Sequence, residues 1–400
     1  MIMGGSPRPK AIVVGAGIGG LAAAVTLRRI GMEVEVYERA GELRAAGSGL
    51  SIMSNAIRAL GTLGIDLGLE ERGQVIEHVE MMTTAGRTLR VLPYKENCAK
   101  LGAPSVCISR SELQAALLEA AGDCPISLGA VATGFSAGPD GVRVRFADGR
   151  EAHGDLLIGA DGIHSAIRRQ LTGPEPVREA GYVCWLAVTP FAHPRLTRGF
   201  NGHYWGKGQR FGLHDIGHGN AYWWGTRNMT PEAAREWNGT KADILRAYQG
   251  WAEEVTAAIE ATEPEAVIPV PAQDRPFLER WGEGPVTLLG DAAHPMMTSL
   301  VQGGSSAVED AVVLAQACAG SGDPVRALRA YEDRRRAHIR WLVERSYAMS
   351  AIEQEERPVP RLIRDAFMRL APKSVLFKPF ETSMSADLPT RASVPAGAGR

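Results

Sequence analysis

The first forty residues combine a short apolar run with a helical pattern and an alternating pattern. Residues 10–15 form a β-branched apolar run that ends in glycine, which predicts a buried parallel strand. The pattern over 18–30 predicts a helix that ends at Gly31. Residues 33–38 alternate like a second strand. This order predicts one βαβ unit.

Helix and strand patterns continue through the rest of the chain. A capping box at Ser109 and Glu112 predicts the start of one helix. The predicted helices span 55–63, 113–121, 241–262, 303–319 and 326–353. The predicted hairpins and strands span 75–93, 141–153, 155–160, 182–188, 202–214, 220–227 and 286–289. The charged run 333–336 fits the solvated face of its helix better than an anion site.

Charge and cysteine content narrow the class of protein. The chain has 400 residues and a net charge of −1, so no basic excess indicates a nucleic-acid partner. An odd number of cysteines, without metal or redox spacing, predicts reduced thiols in a cytoplasmic protein. These are Cys98, Cys107, Cys124, Cys184 and Cys318.

The apolar run 11–27 resembles a signal peptide, but two features favour a nucleotide-binding unit. The run is short and broken by glycines, which does not suit a membrane span. It also continues directly into the alternating segment 33–38. We therefore expect no membrane partner.

The first candidate for chemistry is the glycine-rich turn between the first strand and the first helix. Gly15 permits a tight turn, Gly17 lets the backbone approach a pyrophosphate, and Gly20 lets helix and strand pack closely. Glu38 ends the second strand, at the spacing of an acid that binds a ribose diol. A glycine-rich turn without a ligand is the alternative, and the motif does not separate FAD from NAD.

Two further motifs each follow a buried strand. Gly290 and Asp291 end the strand 286–289 and precede the helix that starts at Gly303. A carboxylate there suits the ribityl hydroxyls of a flavin, and the helix N-terminus favours negative charge on the flavin pyrimidine edge. Asp161 follows the strand 155–160 and, on its own, indicates a structural turn with a capping aspartate.

Together, these three segments resemble the single-component flavoprotein hydroxylases of the para-hydroxybenzoate hydroxylase type. The similarity is greatest to the branch of salicylate-, 3-hydroxybenzoate- and urate-hydroxylase-like enzymes, over about residues 10–345. The resemblance implies an enzyme that uses FAD, transient NADH or NADPH, and dioxygen. It implies hydroxylation of a small aromatic or heteroaromatic substrate through a flavin C4a-hydroperoxide.

The resemblance also implies which residues bind the cofactor. The loop 44–50 would pass the flavin, Arg110 would contact FAD, and Asp161 would serve both FAD and NAD(P)H. The cofactor-binding residues implied are Gly15, Gly17, Gly20, Glu38, Arg39, Gly49, Arg110, Asp161, Asp291, Gly303 and Gly304. His294 would order its loop and not act in catalysis.

The aromatic-rich strands supply the candidates for the substrate pocket. His214 is the first candidate for a general base, with Arg210 and Tyr222 beside it. Simple packing of the sheet is an equally good explanation for each residue alone. The remaining pocket candidates are Met53, Trp185, Tyr204, Trp224, Arg227 and Thr298. No metal ligands are expected.

Three positions depart from the family pattern. Many relatives have proline near Thr298 and glycine near Val301, in the loop where the peroxide forms. Many place a polar or basic residue where this chain has Leu186. The first two departures put peroxide stabilisation in doubt, and the third indicates a less acidic substrate or one held elsewhere.

The expected fold is α/β: a Rossmann-like FAD-binding domain with an inserted mixed or antiparallel β-sheet substrate domain and C-terminal helices. The FAD-binding domain is predicted to be discontinuous. The predicted boundaries are 1–74, 98–178 and 272–325 for FAD binding, 75–97 and 179–271 for substrate binding, 326–378 for the helices and 379–400 for a disordered tail.

Alternative functions stay open at this point. Epoxidation, or Baeyer–Villiger-type oxygen insertion on a polyketide-like substrate, uses the same chemistry. A flavin-binding protein without turnover and a plain NAD-dependent dehydrogenase belong to other classes. The segment at Gly290 argues against the dehydrogenase, and Trp223-Trp224-Gly225 does not supply a halogenase motif. The chain is expected to be a monomer or a homodimer.

Overall fold

A computed structural model describes residues 9–43, 47–138 and 140–385. The strands are β1 Lys10–Val14, β2 Glu33–Tyr37, β3 Gly49–Ile52, β4 Gln74–Val75, β5 His78–Thr83, β6 Thr88–Leu92, β7 Val106–Ser109, β8 Ile126–Ser127, β9 Ala132–Gly138, β10 Gly141–Phe146, β11 Glu151–Gly154, β12 Leu156–Gly159, β13 Arg178–Pro190, β14 Phe200–Trp205, β15 Gln209–Asp215, β16 Asn220–Asn228, β17 Ile268–Asp274, β18 Gly282–Glu283 and β19 Val286–Leu288. The helices are α1 Ile18–Arg29, α2 Ser54–Thr62, α3 Leu69–Arg72, α4 Tyr94–Lys100, α5 Arg110–Ala121, α6 Ala166–Thr172, α7 Pro231–Arg235, α8 Lys241–Ala247, α9 Glu253–Glu260, α10 Gly303–Ala319, α11 Pro324–Glu353, α12 Pro358–Leu370 and α13 Lys373–Met384.

A six-stranded sheet with the order β18-β19-β12-β1-β2-β8 supports the glycine-rich turn. Strands β19, β12, β1, β2 and β8 are parallel, and β18 is antiparallel to β19. The carboxyl ends of β1, β12 and β19 therefore lie at one edge of the sheet. Because neighbouring strands are about 4.8 Å apart, the three motifs that follow these strands converge.

Helices α1 and α10 pack closely against each other. The Thr26 hydroxyl donates to the carbonyl of Ala311 at 2.9 Å, far away in sequence. A Cβ placed at Gly19 would lie 2.8 Å from the Leu289 side chain and 3.3 Å from that of Ala307. Small residues at the contact thus let the start of α1 approach the start of α10.

The second large sheet has seven strands in the order β17-β13-β16-β15-β14-β5-β6. Its neighbouring strands are antiparallel except for the pair β14 and β5. One face packs against α7–α9 in an apolar cluster that includes Trp185, Phe211 and Trp223. The opposite face, here called the inner face, carries His214 and Tyr222.

Most of the predicted elements are confirmed, including the βαβ unit, the hairpins at 75–93 and 141–153, and the helix 303–319. Two predicted segments are divided. The strand 202–214 is interrupted at 206–208, and the helix 241–262 ends at Ala247 before resuming at Glu253. Gly250, between these helices, has φ +79°, a conformation that a continuous helix cannot contain.

The C-terminal prediction needs correction. Helix α13 continues through 379–384, which were expected to be disordered, because Phe377 and Met384 are buried in a shared apolar cluster. Residues 386–400 of the predicted tail lie outside the described residues. The domain boundaries stay predictions. All five cysteines are free, and no helix in the described ranges is both long and apolar enough to cross a bilayer.

Candidate active site

In the glycine-rich turn, protein atoms crowd Gly15 and Gly20, whereas Gly17 faces open space. Gly15 has φ +106°, and a Cβ there would lie 2.3 Å from the Ala160 carbonyl oxygen. A Cβ at Gly20 would lie 1.9 Å from the carbonyl oxygen of Gly15. At Gly17 no described protein atom lies within 4 Å of such a Cβ. This space is next to the N-terminus of α1, where backbone amides favour an anion.

Glu38 connects the turn to the end of β2. Its carboxylate accepts hydrogen bonds from the amides of Ala16 at 2.7 Å and Ala40 at 2.9 Å. A carboxylate offers about four acceptor sites, so Glu38 retains capacity for a diol. Arg39, the next residue, is exposed.

Asp291 begins a recess at the end of β19. Its side chain is exposed, yet enough protein surrounds it for desolvation to raise its pKa. The charges of His294 and Arg110 act in the opposite direction. Arg110 starts α5, so a helix that is distant in sequence brings a positive charge near the Asp291 carboxylate.

A buried polar network lies under the recess, and no pattern in the sequence indicated it. Asp310 accepts from the Gly290 amide at 3.2 Å and is 2.5 Å from His294 Nε2. Arg335 donates to Asp310 at 2.7 Å and to Glu309 at 2.9 Å. The interpretation of 333–336 as a solvated face is therefore wrong for Arg335, which is buried to compensate these carboxylates.

Asp161 acts in the structure as a helix cap. It accepts from the Ser165 hydroxyl at 2.5 Å and from the amide of Ala166 at 2.7 Å. Arg168 on the same helix donates to the carbonyl of Ala293 at 2.9 Å. This contact joins the Asp161 and Asp291 motifs, while a role of Asp161 toward FAD and NAD(P)H stays a prediction.

The loop before β3 is held by backbone contacts to the start of α5 and to β13. The Arg110 amide donates to the Ser48 carbonyl at 2.8 Å, and the Val188 amide donates to Gly47 at 3.1 Å. A Cβ at Gly49 would lie 2.3 Å from the Tyr222 ring, so only glycine fits. Residues 44–46 of the predicted flavin loop lie outside the described residues.

The start of α10 repeats the contrast between filled and open positions. A Cβ at Gly304 would lie 3.3 Å from the Leu50 side chain, whereas no described protein atom lies within 4 Å of a Cβ at Gly303. Thr298 is exposed, and Val301 has φ +56°. This left-handed conformation is strained for a β-branched residue, whereas glycine adopts it readily.

A buried ion pair crosses the inner face. Arg210 Nη1 lies 2.7 Å from Glu353 Oε2, and Ser299 donates to the same carboxylate at 2.6 Å. Arg210 also lies 5.0 Å from the centre of the Trp224 ring. Burial raises the pKa of Glu353, and the Arg210 charge opposes this. Glu353 gave no sequence signal because it ends a helix that is distant from β15.

His214 is poorly suited to the role of general base. The Trp224 indole, which can only donate, donates to His214 Nε2 at 2.7 Å. The neutral ring therefore carries its proton on Nδ1, which is buried without a partner among the described residues. Burial places the pKa of His214 well below its usual value, and that of His203 at about 3. Both rings are uncharged at neutral pH.

Three of the predicted pocket residues do not join this group. Trp185 and Tyr204 lie on the opposite face in the cluster with α8 and α9, and Tyr204 donates to Glu254 at 2.8 Å. Arg227 is exposed on that face too, in alternation with Tyr222 and Trp224. Alternation along a strand thus divides residues that composition alone had grouped.

The C-terminal helices cover one side of the inner face. The apolar cluster that includes α13 contains Met53 and Trp205 together with Phe377 and Met384. Tyr222 and Val301 pack against this cluster. Met53 is therefore placed with Tyr222 beneath C-terminal helices that begin within the predicted helical region 326–378 and extend to Met384, and its role in the pocket stays a prediction.

Comparisons with known proteins agree with this architecture. Residues 8–346 match the FAD binding domain family. An aurachin C monooxygenase/isomerase from Stigmatella aurantiaca is 38% identical over 359 residues, covering 90% of this chain and 93% of that protein. An FAD-dependent urate hydroxylase from Klebsiella pneumoniae is 34% identical over 340 residues, covering 84% and 88%. The solved structure of Klebsiella pneumoniae HpxO with FAD and uric acid has a TM-score of 0.87 and 29% identity, covering 94% and 96%.

Proposed function

This chain belongs to the FAD binding domain family and is an FAD-dependent monooxygenase of the aromatic hydroxylase type, and from this premise we propose that it hydroxylates an uncharged heteroaromatic substrate. The reductant in this proposal is NADH or NADPH, and the oxidant is dioxygen. The bound flavin supplies the redox chemistry and the activation of oxygen.

The observation that carries the proposal is the convergence of three strand ends on one recess with two unfilled glycine positions. In this arrangement, Gly17 and the first amides of α1 bind the pyrophosphate, and Glu38 binds the ribose. Asp291 accepts hydrogen bonds from the ribityl chain. The open position at Gly303 leaves room for the ring, with Arg110 near Asp291.

On the substrate side, the chain orients the substrate and excludes water. The apolar residues Met53 and Val301 contribute to a dry wall, which strengthens polar contacts within it. His214 offers an Nδ1 proton as a hydrogen-bond donor, which suits a carbonyl or ring nitrogen on the substrate. Tyr222 faces the loop at Gly49 and supplies an aromatic surface.

The charges of the inner face support an uncharged substrate. Arg210 is already paired with Glu353, and His203 and His214 are neutral. An acidic substrate would therefore meet two neutral histidines and an already paired Arg210 on this face, and burying its charge there would be costly. Leu186, where relatives have polar or basic residues, adds no charge to this face.

The cofactor assignment is tested with Asp291→Asn, which keeps the shape of the side chain and removes its charge. We expect FAD affinity to fall about a hundredfold, because charge-assisted hydrogen bonds contribute about 1.5–3 kcal/mol each. The exposed Asp148→Asn is the control, since Asp148 lies on the β10–β11 turn. Equal flavin retention in both variants would argue against Asp291.

The reaction is tested by titrating phenols, indoles, quinolones and purines into the flavin-loaded protein. We expect an uncharged heteroaromatic to stimulate NADH or NADPH oxidation and to gain one oxygen atom by mass. Carboxylated analogues of the same ring serve as controls and should stimulate less. Stimulation only by the carboxylates would overturn the substrate class, and flavin binding without oxygen transfer to any substrate would favour a non-catalytic role.

A further inference from the structure

Helix α12 presents an apolar stripe to solvent. Five large side chains on it are between 53% and 77% exposed, and they recur at the spacing of a single helix face. They are Val359, Leu362, Ile363, Phe367 and Leu370. An apolar stripe of this length is uncommon on the surface of a protein that has no partner.

The other side of α12 is firmly attached, so the stripe cannot turn inward. Arg364 lies 5.0 Å from the centre of the Trp205 ring and donates to the carbonyl of Glu353 at 3.4 Å. Arg90 on β6 donates to the carbonyls of Met368 at 3.3 Å and Ala371 at 2.8 Å. The helix is thus anchored on the edge of the seven-stranded sheet with its apolar face outward.

The segment around the stripe carries a net positive charge. Residues 357–378 contain six basic side chains and one acidic side chain, while the whole chain has a net charge of −1. Three of the six basic side chains are paired: Arg364 with Asp365, Arg357 with Glu355 and Lys378 with Glu381. Arg369 and Lys373 are exposed and form no ion pair with any described residue. The stripe therefore ends in basic groups that remain available to an anionic partner.

We infer that α12 is a docking element that lies in the surface of an anionic lipid bilayer. An amphipathic helix with apolar residues on one side and basic residues at its border binds in the plane of the headgroups. Anionic lipids attract basic residues that lie near the surface of the bilayer. This binding requires no membrane-spanning helix, it replaces the expectation from the sequence that the chain has no membrane partner, and it is independent of which substrate the site accepts.

A second copy of the chain fits the stripe less well. A standard stable interface buries about 800 Å² on each partner, and five partly exposed side chains offer on the order of 600 Å². Parallel two-fold pairing of α12 would also bring Arg369 and Lys373 close to their own copies, where like charges repel. The segment 386–400 contains only Leu388 and Val394 as large aliphatic residues, too few to cover five.

The test is co-sedimentation of the flavin-loaded full-length chain with vesicles. We expect binding to an equal mixture of phosphatidylcholine and phosphatidylglycerol, and weaker binding to phosphatidylcholine alone or at high salt. The double variant Leu362→Gln with Leu370→Gln should bind the anionic vesicles about tenfold more weakly or worse. Arg369→Glu with Lys373→Glu should show a loss of similar size that is confined to anionic vesicles.

The matched control is Val131→Gln with Val270→Gln, which removes two exposed apolar side chains far from α12 in sequence. It should bind vesicles like the original chain, and flavin absorbance should show that all variants are folded. Failure of the original chain to sediment with anionic vesicles would overturn the inference. So would a dimer in light scattering that becomes a monomer in the Leu362/Leu370 variant without a change in vesicle binding.

Discussion

The cofactor side and the substrate side of the recess are built from different parts of the chain. On the cofactor side, glycines and backbone amides at three strand ends border open space, as at Gly17 and Gly303. On the substrate side, side chains of one sheet face form buried pairs, such as Arg210 with Glu353. Backbone geometry therefore determines the cofactor side, whereas side-chain charge and tautomer determine the substrate side.

The two sides should therefore fail differently when they are mutated. A change on the cofactor side alters space that the backbone has fixed, so it should remove flavin. A change on the substrate side alters electrostatics within a packed region, so it should affect stability or turnover while flavin remains bound. Four experiments test this difference.

The largest effect is expected for Gly15→Val. The new Cβ would lie 2.3 Å from the Ala160 carbonyl oxygen in a left-handed backbone, so the turn cannot form. We expect complete loss of bound flavin, measured as the ratio of visible to ultraviolet absorbance. Gly61→Ala on α2 is the control, because no described protein atom lies within 4 Å of its added Cβ. Full flavin occupancy in Gly15→Val would contradict the claim that the backbone of this turn determines the cofactor side.

The next effect concerns Glu353→Ala on the substrate side. Removing one member of a buried ion pair leaves Arg210 uncompensated and should cost about 3–5 kcal/mol of unfolding free energy. Urea unfolding measures this, with the exposed Glu344→Ala on the same helix expected within about 0.5 kcal/mol of the original chain. The folded variant should keep its flavin. A variant that loses flavin at unchanged stability would contradict the division between the sides.

Acid sensitivity should arise on the substrate side as well. Burial lowers the pKa of His203 to about 3 and that of His214 well below its usual value. Below about pH 6.5 the unfolded chain binds protons that the folded chain does not, so stability falls as pH falls from 6.5 toward 3. Each histidine contributes on the order of 1 kcal/mol per pH unit. His203→Asn should flatten the pH dependence of urea unfolding, and an unchanged slope would count against buried neutral rings.

The smallest effect is expected for Val301→Gly, between the two sides. Glycine relieves a left-handed conformation but increases the entropy of the unfolded chain, leaving a net stabilisation of about 0.5–1 kcal/mol. Thermal unfolding followed by flavin fluorescence measures the change. Val308→Gly is the control for the same change within a helix, α10, and it should destabilise the protein. Destabilisation by Val301→Gly would show that the valine side chain contributes more by packing than its backbone costs.

Sequence alone predicted the strands and helices of the cofactor side well, because its motifs are local. The order of strand, glycine turn, helix and Glu38 occupies fewer than thirty residues, and each residue type there has a direct conformational reason. The central strands were equally clear, since parallel strands that are buried on both faces form continuous apolar runs.

The substrate side could be predicted only in outline, because its contacts join distant segments. Nothing near Arg210 in sequence indicates Glu353, and nothing near Asp310 indicates Arg335. Composition identified Trp185 and Tyr204 as aromatic but could not give the strand register that places them on the other face. The same limit left the placement of the predicted C-terminal helices open, because it depends on the tertiary cluster that they form with Met53.

The close packing of α1 against α10 makes the proposed FAD site bivalent. The helix starts at Gly17 and Gly303 belong to one rigid pair, joined by the Thr26–Ala311 contact, so they cannot separate independently. Once one end of the dinucleotide binds, the other end meets its partner at a high effective concentration. Adenosine and riboflavin fragments added separately should therefore bind far more weakly than the intact molecule, and release of FAD should be slow.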